Sequence, residues 1–595
     1  GKKSYDNMEM EERKLYIDAF SDNDEIQRHA QKLESLKNKI KDQCRDVEKK
    51  DNLLYYDVEW DGKEHKFTGF DQFGEELYQL LLKDILFDIE AEKEEKSSLE
   101  MEKFYFDSFV TSHLEDFKGR KALIDKLINF LLDSRSVSTI LDGLNGIFLS
   151  GFSGCGKSSV FSILYDQLTR IAKEKSLFVL GHAAGISPKS ILPQQMIDLW
   201  SWEMTMYLGD SYQDEKHISV QNFQNLLMRI QAKGLFPIIL IDSLDSFVKD
   251  SLITNFNFIP YNVPFICTSL PGCAGDIIAK HSNYFNFDID VFTYEDAQLV
   301  IEDILRKNSK ELSCELRNKL LSITDSKGCP AYYSPLWVRM AMSILMELGT
   351  EDFNEIHREN CEKEDQKIEV YLNKIIEKFP GDAESLFEYL LNLTCRYFNE
   401  DITRKSLTYI AISQYGIREN DLSELIGETW SQLEFNSLRY WLRDFIQCNN
   451  KDRKWFFTHS ILKKILLHQD EGFVIECKKL LFGLLSERAL ESIEEKKEFI
   501  YQIVISLEYD VLDNYIEEFD TYDLDDIFYD FLFEIEEQTL SFLDCYLAKY
   551  YKKNNAWIDS LAGKLMNETE ASPSERKTQL ALSIYDMLIE KFKET

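Results

Sequence analysis

Eight consecutive residues carry the plainest chemistry in the chain. Gly151-Phe-Ser-Gly-Cys-Gly156-Lys157-Ser158 satisfies the pattern G-x-x-x-x-G-K-[ST] at every fixed position. Glycines at 151, 154 and 156 let a backbone curl until several N–H groups face one anion. An apolar strand, Ile147-Phe148-Leu149, leads into the loop, and a helix from Lys157 to about Lys175 leaves it. A phosphate held there sits at the positive end of that helix, with Lys157 bridging neighbouring phosphates and Ser158 ligating Mg²⁺. Ser153 and Ser159 are further candidate contacts in the same stretch, whereas Cys155 occupies a variable position where packing is the expected role.

Some eighty residues on, Pro237-Ile-Ile-Leu-Ile-Asp242 reads as a buried strand ending on a carboxylate. A phosphate-binding loop needs one acid at a neighbouring strand end to hold a Mg²⁺ water shell, and Asp242 fits that need. Asp245 follows three residues later, where it can orient an attacking water or cap a helix N-terminus. Phe265-Ile-Cys-Thr268-Ser269 ends in hydroxyls that can sense a terminal phosphate, although polar residues close many strands. The ligands expected from these residues are ATP or ADP with Mg²⁺.

These residues need a scaffold, and the pattern from Asn145 to Ile289 supplies one. Short β-rich runs (147–149, 177–180, 238–241, 265–268 and 285–289) alternate with longer helical stretches, which predicts a parallel α/β sheet. Beyond about residue 300, helical periodicity takes over and ends in an aromatic, acidic stretch from Tyr509 to Glu537. Before the α/β region, residues 21–42 read as an amphipathic helix behind Ser21-Asp22-Asn23, with Ile26, Ala30, Leu33, Leu36 and Ile40 at helical spacing. A strand over Leu53–Val58, a turn at Trp60-Asp61-Gly62, a helix from Phe70 to about Ala91 and a charged linker from Glu90 to Lys96 follow.

The chain's 595 residues exceed one core and imply about three to five domains. Its apolar fraction of 44%, with 40 Phe and 29 Tyr, suffices for packed interiors, and the scarcity of Gly and Pro favours helices. The balance of 69 basic against 105 acidic residues gives −36. Such a charge disfavours wrapping nucleic acid or docking on anionic membranes, and it keeps the chain soluble. Eleven Cys without metal-type spacing fit reduced thiols, and no apolar run approaches the ~18 residues a membrane span needs. Cytoplasm is therefore the expected compartment. Gly1 and Thr595 both read as cuts within a longer chain.

Several motifs in order give a sharper likeness. Phe117-Lys-Gly119-Arg120 precedes the loop; His182-Ala-Ala-Gly-Ile-Ser187 ends the second strand; Ile241-Asp242-Ser-Leu-Asp245 ends the third; and Thr268-Ser269-Leu-Pro271-Gly272 ends the fourth. Together they resemble the STAND class of signalling ATPases, in particular its NACHT-type branch of telomerase-associated-protein and nephrocystin relatives. Ser334-Pro335-Leu336 is similar to the segment of that class whose proline packs on the nucleotide. The stretch from Ile410 to about Leu467 resembles a winged helix, and His459 stands near the place where a histidine of the class holds the ADP β-phosphate; a histidine packed at a helix start is the plainer role. Asp71-Gln-Phe73-Gly74-Glu75 resembles part of a domain that often precedes these ATPases, and Glu498-Phe-Ile-Tyr501-Gln502 resembles the lead into superhelical repeats.

The resemblance implies five regions: the end of an effector-associated domain (1–98), a NACHT-type P-loop core (99–300), a helical subdomain (301–400), a winged helix (401–470) and a helical region opening superhelical, TPR-like repeats (471–595). It implies nucleotide contacts from Arg120, Gly151, Ser153, Gly154, Cys155, Gly156, Lys157, Ser158, Ser159, Ser269, Pro335 and His459, Mg²⁺ on Ser158 and Asp242, and catalytic roles for Lys157, Asp242 and Asp245. The class often has D-[GA]-h-D-E, where this chain has Ser246 for the Glu, and Leu270 stands where an Arg is common. Slow hydrolysis at most follows. The implied activity is a switch that oligomerises with its own kind when a protein trigger meets the C-terminal helices, in innate or antiphage defence. Alternatives are an ATPase that remodels a partner and a scaffold with structural nucleotide.

Overall fold

The structure, a computed structural model, describes residues 24–43, 59–61, 63–92, 98–114, 117–133, 145–187, 189–212, 218–247, 251–359, 363–448, 453–458, 460–487, 493–506 and 536–550, with scattered positions elsewhere. The chain divides into two compact units, residues 1–96 and 97–595.

The first unit contains α1 (Asp24–Gln43), an antiparallel hairpin of β1 (Glu59–Asp61) and β2 (Lys66–Thr68), and α2 (Asp71–Glu92). The expected strand over 53–58 lies mostly outside the described residues, as do Ser21-Asp22-Asn23. Trp60 and Asp61, expected in a turn, are instead in β1. Trp60 is buried edge-on against Phe67 of the opposite strand at 5.1 Å, and the described turn falls at 63–65 instead.

The second unit opens with α3 (Ser98–Leu114) and α4 (Lys121–Asp133). It continues through β3 (Gly146–Ser150), α5 (Lys157–Lys175), β4 (Leu177–Ala183), α6 (Pro193–Leu208), α7 (Val220–Ala232), β5 (Phe236–Asp242), α8 (Ser251–Asn255), β6 (Phe265–Ser269), α9 (Gly275–Lys280) and β7 (Tyr284–Asp288). The five strands form one parallel sheet in the order β4-β5-β6-β3-β7. Alternate side chains leave it on opposite faces. Ile147, Leu149, Ile238 and Leu240 pack with α3–α5 through Phe106, Leu127 and Leu164. Phe148, Ile239 and Ile241 pack with α6 and α7 through Trp200 and Phe223. Both faces are covered, so the strands read as continuous apolar runs and not as alternating ones.

A helical region follows: α10 (Tyr294–Lys307), α11 (Cys314–Leu321), α12 (Pro335–Met346), α13 (Thr350–His357), α14 (Glu364–Ile376) and α15 (Ala383–Tyr397). Then come α16 (Glu400–Ile412), β8 (Ile417–Arg418), α17 (Glu419–Ile426), α18 (Gln432–Trp441), β9 (Ile446–Cys448) and β10 (Lys454–Phe457), with the strands in a small antiparallel sheet ordered β8-β10-β9. Helix, strand, two helices and a two-stranded wing is the winged-helix order. Helices α19 (Ser460–Gln469), α20 (Glu471–Glu487), α21 (Ile493–Ser506) and α22 (Glu536–Tyr550) complete the described chain. No described helix is long and apolar enough to cross a membrane.

Candidate functional site

The order of the sheet decides where chemistry can occur. β6 lies between β3, which feeds the glycine loop, and β5, which carries Asp242. In such sheets ligands meet the protein beyond the C-terminal strand ends, where chain order reverses. The loop 151–156 and the ends of β5 and β6 all open at that edge.

Gly154 and Gly156 have φ of 80° and 88°, a left-handed region that side chains avoid. A Cβ at Gly154 would also meet Leu336 at 3.2 Å. The helix they introduce, α5, has Gly156 as its N-cap and no side chain capping it. Its first-turn amides have no acceptor within the helix, which leaves a ready anion site. Lys157 folds back over the loop, donating from Nζ to the carbonyls of Gly151 at 2.7 Å and Phe152 at 3.1 Å. Cys155 is 1% exposed, tucked beneath Gly151, and burial pushes its thiol pKa up, so packing is its role here. Phe152 and Ser153 form the exposed tip, and Ser159 is half-buried in the first turn of α5.

Asp242 is 1% exposed and takes hydroxyl donors from three directions. Ser158 Oγ donates at 2.7 Å and Ser243 Oγ at 3.2 Å to one carboxylate oxygen, and Thr268 Oγ1 donates at 2.5 Å to the other. Thr268 in turn accepts the backbone N–H of Ser243 at 2.8 Å, which holds Ser243 at a φ of 59°. Ser158 and Asp242, named from sequence as metal ligands, are thus adjacent. Among the described residues no cluster of three His, Cys, Asp or Glu forms a metal cage. One carboxylate beside one hydroxyl, with water and phosphate completing the shell, suits Mg²⁺ better than Ca²⁺ or Zn²⁺.

Asp245 lies in a 3₁₀ turn, Leu244–Ser246, and its Oδ1 accepts the backbone N–H of Leu270 at 2.9 Å. It ties the end of β5 to the loop after β6, a partner that neither sequence reading named. Ser269 Oγ is buried without a hydrogen-bond partner among the described residues, as are both terminal nitrogens of Arg120. Arg120 has a φ of 54°, donates its backbone N–H to Asp296 at 2.9 Å and sets its guanidinium over the Phe292 ring at 5.5 Å. Burial pulls its pKa down, opposed by Cys155 and by the carboxylates of Asp296 and Asp290. Buried donors of this kind call for an acceptor, and phosphate or ribose oxygens supply one.

The helical region reaches the loop through α12. Leu336 donates its backbone N–H to the Gly154 carbonyl at 3.4 Å, and Pro335, at the first turn of α12, lies beside Gly156. The sequence singled out Pro335 but not Leu336, whose contact is made by backbone and has no side-chain signature. Ser243 and Thr268 as partners of Asp242 were also missed, although hydroxyls directly after a strand-ending Asp and at the end of the next strand are the available signal. His459 lies outside the described residues.

A doubly covered parallel sheet with a glycine loop between β3 and α5 and an acid at the end of β5 is a P-loop NTPase core. Among solved structures, the chain is similar to a STAND protein with a tetratricopeptide repeat sensor from Pyrococcus horikoshii, at 13% identity over 81% of this chain and 65% of that one, with a TM-score of 0.40. It is also similar to the ORC2 protein of Aeropyrum pernix, at 10% identity over 59% of this chain and 94% of that one, TM-score 0.33. A Walker-type ATPase of Pyrococcus abyssi matches at 12% identity over 59% of this chain and 96% of that one, TM-score 0.28. The chain therefore spans just under two thirds of the first of these. No family model and no curated protein matches it.

Proposed function

We propose that the chain is a nucleotide-controlled switch of the STAND type, binding ATP or ADP with Mg²⁺ and assembling with its own kind when a protein trigger engages the C-terminal helices. The observation that carries this reading is the seat of α12 on the loop, with Leu336 bonded to Gly154 and Pro335 beside Gly156. Any change at the loop is felt by a helix that also touches the winged-helix region, through Ser343 to Asp444 at 2.8 Å and Glu347 to Arg443 at 3.0 Å. Gly151, Gly154, Gly156 and Lys157 would take the phosphates, Ser158 and Asp242 the Mg²⁺, and Arg120 and Ser269 the remaining oxygens. Bound Mg²⁺ supplies counter-charge to the phosphates.

Hydrolysis in this reading is slow. Asp245 is committed to the Leu270 amide, and Ser246 holds the position after it. Coupling between nucleotide and assembly would be worth about 1–3 kcal/mol, as for other linked sites. Innate or antiphage defence is the setting suggested by the family resemblance. The test is the solution mass of the full chain with ADP, with a non-hydrolysable ATP analogue and as Lys157→Ala, with bound nucleotide identified alongside. A larger assembly formed with the analogue, and absent with ADP or Lys157→Ala, is expected. A mass indifferent to nucleotide, in the presence of candidate triggers as well, would leave a scaffold with structural nucleotide. Fast steady-state turnover would favour the remodelling ATPase.

A further inference from the structure

The two carboxylate oxygens of Asp242 have different partners. Ser158 and Ser243 both donate to one of them, at 2.7 and 3.2 Å, so that oxygen faces the glycine loop. The other accepts Thr268 Oγ1 at 2.5 Å. The sheet makes this pairing. Ile241 of β5 lies level with Cys267 of β6, so Asp242 and Thr268, the next residue in each strand, project on the same side. That side carries Leu240 and Ile266, which pack with α5, the helix that brings Ser158.

Thr268 has no proton left to offer a nucleotide. A hydroxyl has one O–H and two lone pairs, and an ionised carboxylate only accepts. The O–H is therefore committed to Asp242, while one lone pair takes the backbone N–H of Ser243 at 2.8 Å. The side chain is fully buried. A hydroxyl that senses a terminal phosphate must donate to it, and of the pair ending β6 only Ser269 has an Oγ without a partner among the described residues.

We propose that Thr268 is a positioning residue for the metal: it fixes the orientation of the Asp242 carboxylate, and so sets Mg²⁺ affinity, without reading the terminal phosphate. This rests on the nucleotide reading above. Without the Thr268 donor, a carboxylate only 1% exposed has one oxygen unpaired and is free to turn its other oxygen away from Ser158. The same hydroxyl holds the left-handed turn, with φ of 59°, that brings Ser243 onto Asp242. Because Mg²⁺ accompanies ADP and ATP alike, the effect is the same for two phosphates as for three.

The experiment is calorimetric titration of the full chain with ADP and with a non-hydrolysable ATP analogue, each in Mg²⁺ and in chelator. Thr268→Val keeps the shape and the strand preference and removes the hydroxyl. It is expected to lower the Mg²⁺-dependent tightening about tenfold for both nucleotides, the range of one lost hydrogen bond to a charged group, with binding in chelator unchanged. Thr268→Ser, which keeps the hydroxyl, should restore it. In an Asp242→Asn background Thr268→Val should add little, since it acts through that carboxylate. If the valine variant shows no cooperative melting transition, Thr268→Cys, a weak donor of similar size, is read in the same way. Loss confined to the ATP analogue would make Thr268 a phosphate sensor and overturn the proposal. Equal losses with and without Mg²⁺, or no loss at all, would overturn it too. A wild-type chain that binds neither nucleotide would instead overturn the nucleotide reading, and this inference with it.

Discussion

The carboxylate of Asp242 collects Ser158 from the helix after the loop, Ser243 from its own strand end and Thr268 from the next strand. In the proposed function it would stand between the residues that take the phosphates and the Mg²⁺. Asp242→Asn keeps the shape and removes the charge. It is expected to weaken Mg²⁺-dependent ATP binding about tenfold or more while leaving Mg²⁺-free ADP binding nearly unchanged, as read by titration with and without a chelator. Equal losses in both would make Asp242 a purely structural acid. His182 offers a second test at this scale. Buried, stacked on Phe247 and bonded through Nε2 to the Ser190 carbonyl at 2.7 Å, it has its pKa pulled down to about 4 by burial. A histidine depressed in this way contributes stability above its ordinary value of about 6.5, and that stability is lost as pH falls towards 4. Roughly 3 kcal/mol is at stake. Denaturation at pH 7 and pH 5 should show the slope, and His182→Phe, which keeps the stack, should flatten it.

Elements are joined by contacts of another kind. Glu498 of α21, 6% exposed, accepts the backbone N–H groups of Gln414 at 3.2 Å and Tyr415 at 2.8 Å, at the corner between α16 and β8. Gln502, one turn on, donates to the Ile412 carbonyl at 3.1 Å, and Glu495 pairs with Arg418 at 2.9 Å. The winged helix and α21 are thus tied together at this corner. Glu498→Ala leaves one buried and one half-buried amide unpaired and should cost about 3 kcal/mol, with hydrogen exchange accelerating first at Gln414 and Tyr415. Unchanged protection there would mean the corner is held without it. Much of the frame behind these contacts is legible in the sequence. The loop motif and apolar runs such as Ile238–Ile241 are local signals, and local signals set strands and helices. The partners of Glu498, more than eighty residues upstream, have no such signal. Nor does Asp245, whose acceptor role depends on how β5 and β6 end side by side. The left-handed Arg120 and Ser243 are backbone facts that no spacing encodes.

At the scale of the molecule, the charge of −36 bears directly on assembly. Copies of such a chain repel one another, and the repulsion is felt over about 30 Å at 0.01 M salt but only about 10 Å at 0.1 M. In the proposed switch, nucleotide would have to overcome an electrostatic penalty that salt relieves. Assembly with a non-hydrolysable ATP analogue is expected to strengthen as salt rises from about 0.02 M to 0.2 M, with the midpoint concentration falling several-fold in light scattering. An interface built from opposite charges would respond in the other direction, because screening would weaken its attraction along with the general repulsion. The slope thus separates an apolar contact between cores from a basic patch, such as the Lys118–Arg306–Lys307 wall, meeting the acid of a neighbour. Assembly that dissolves with salt would assign that wall to the interface between copies.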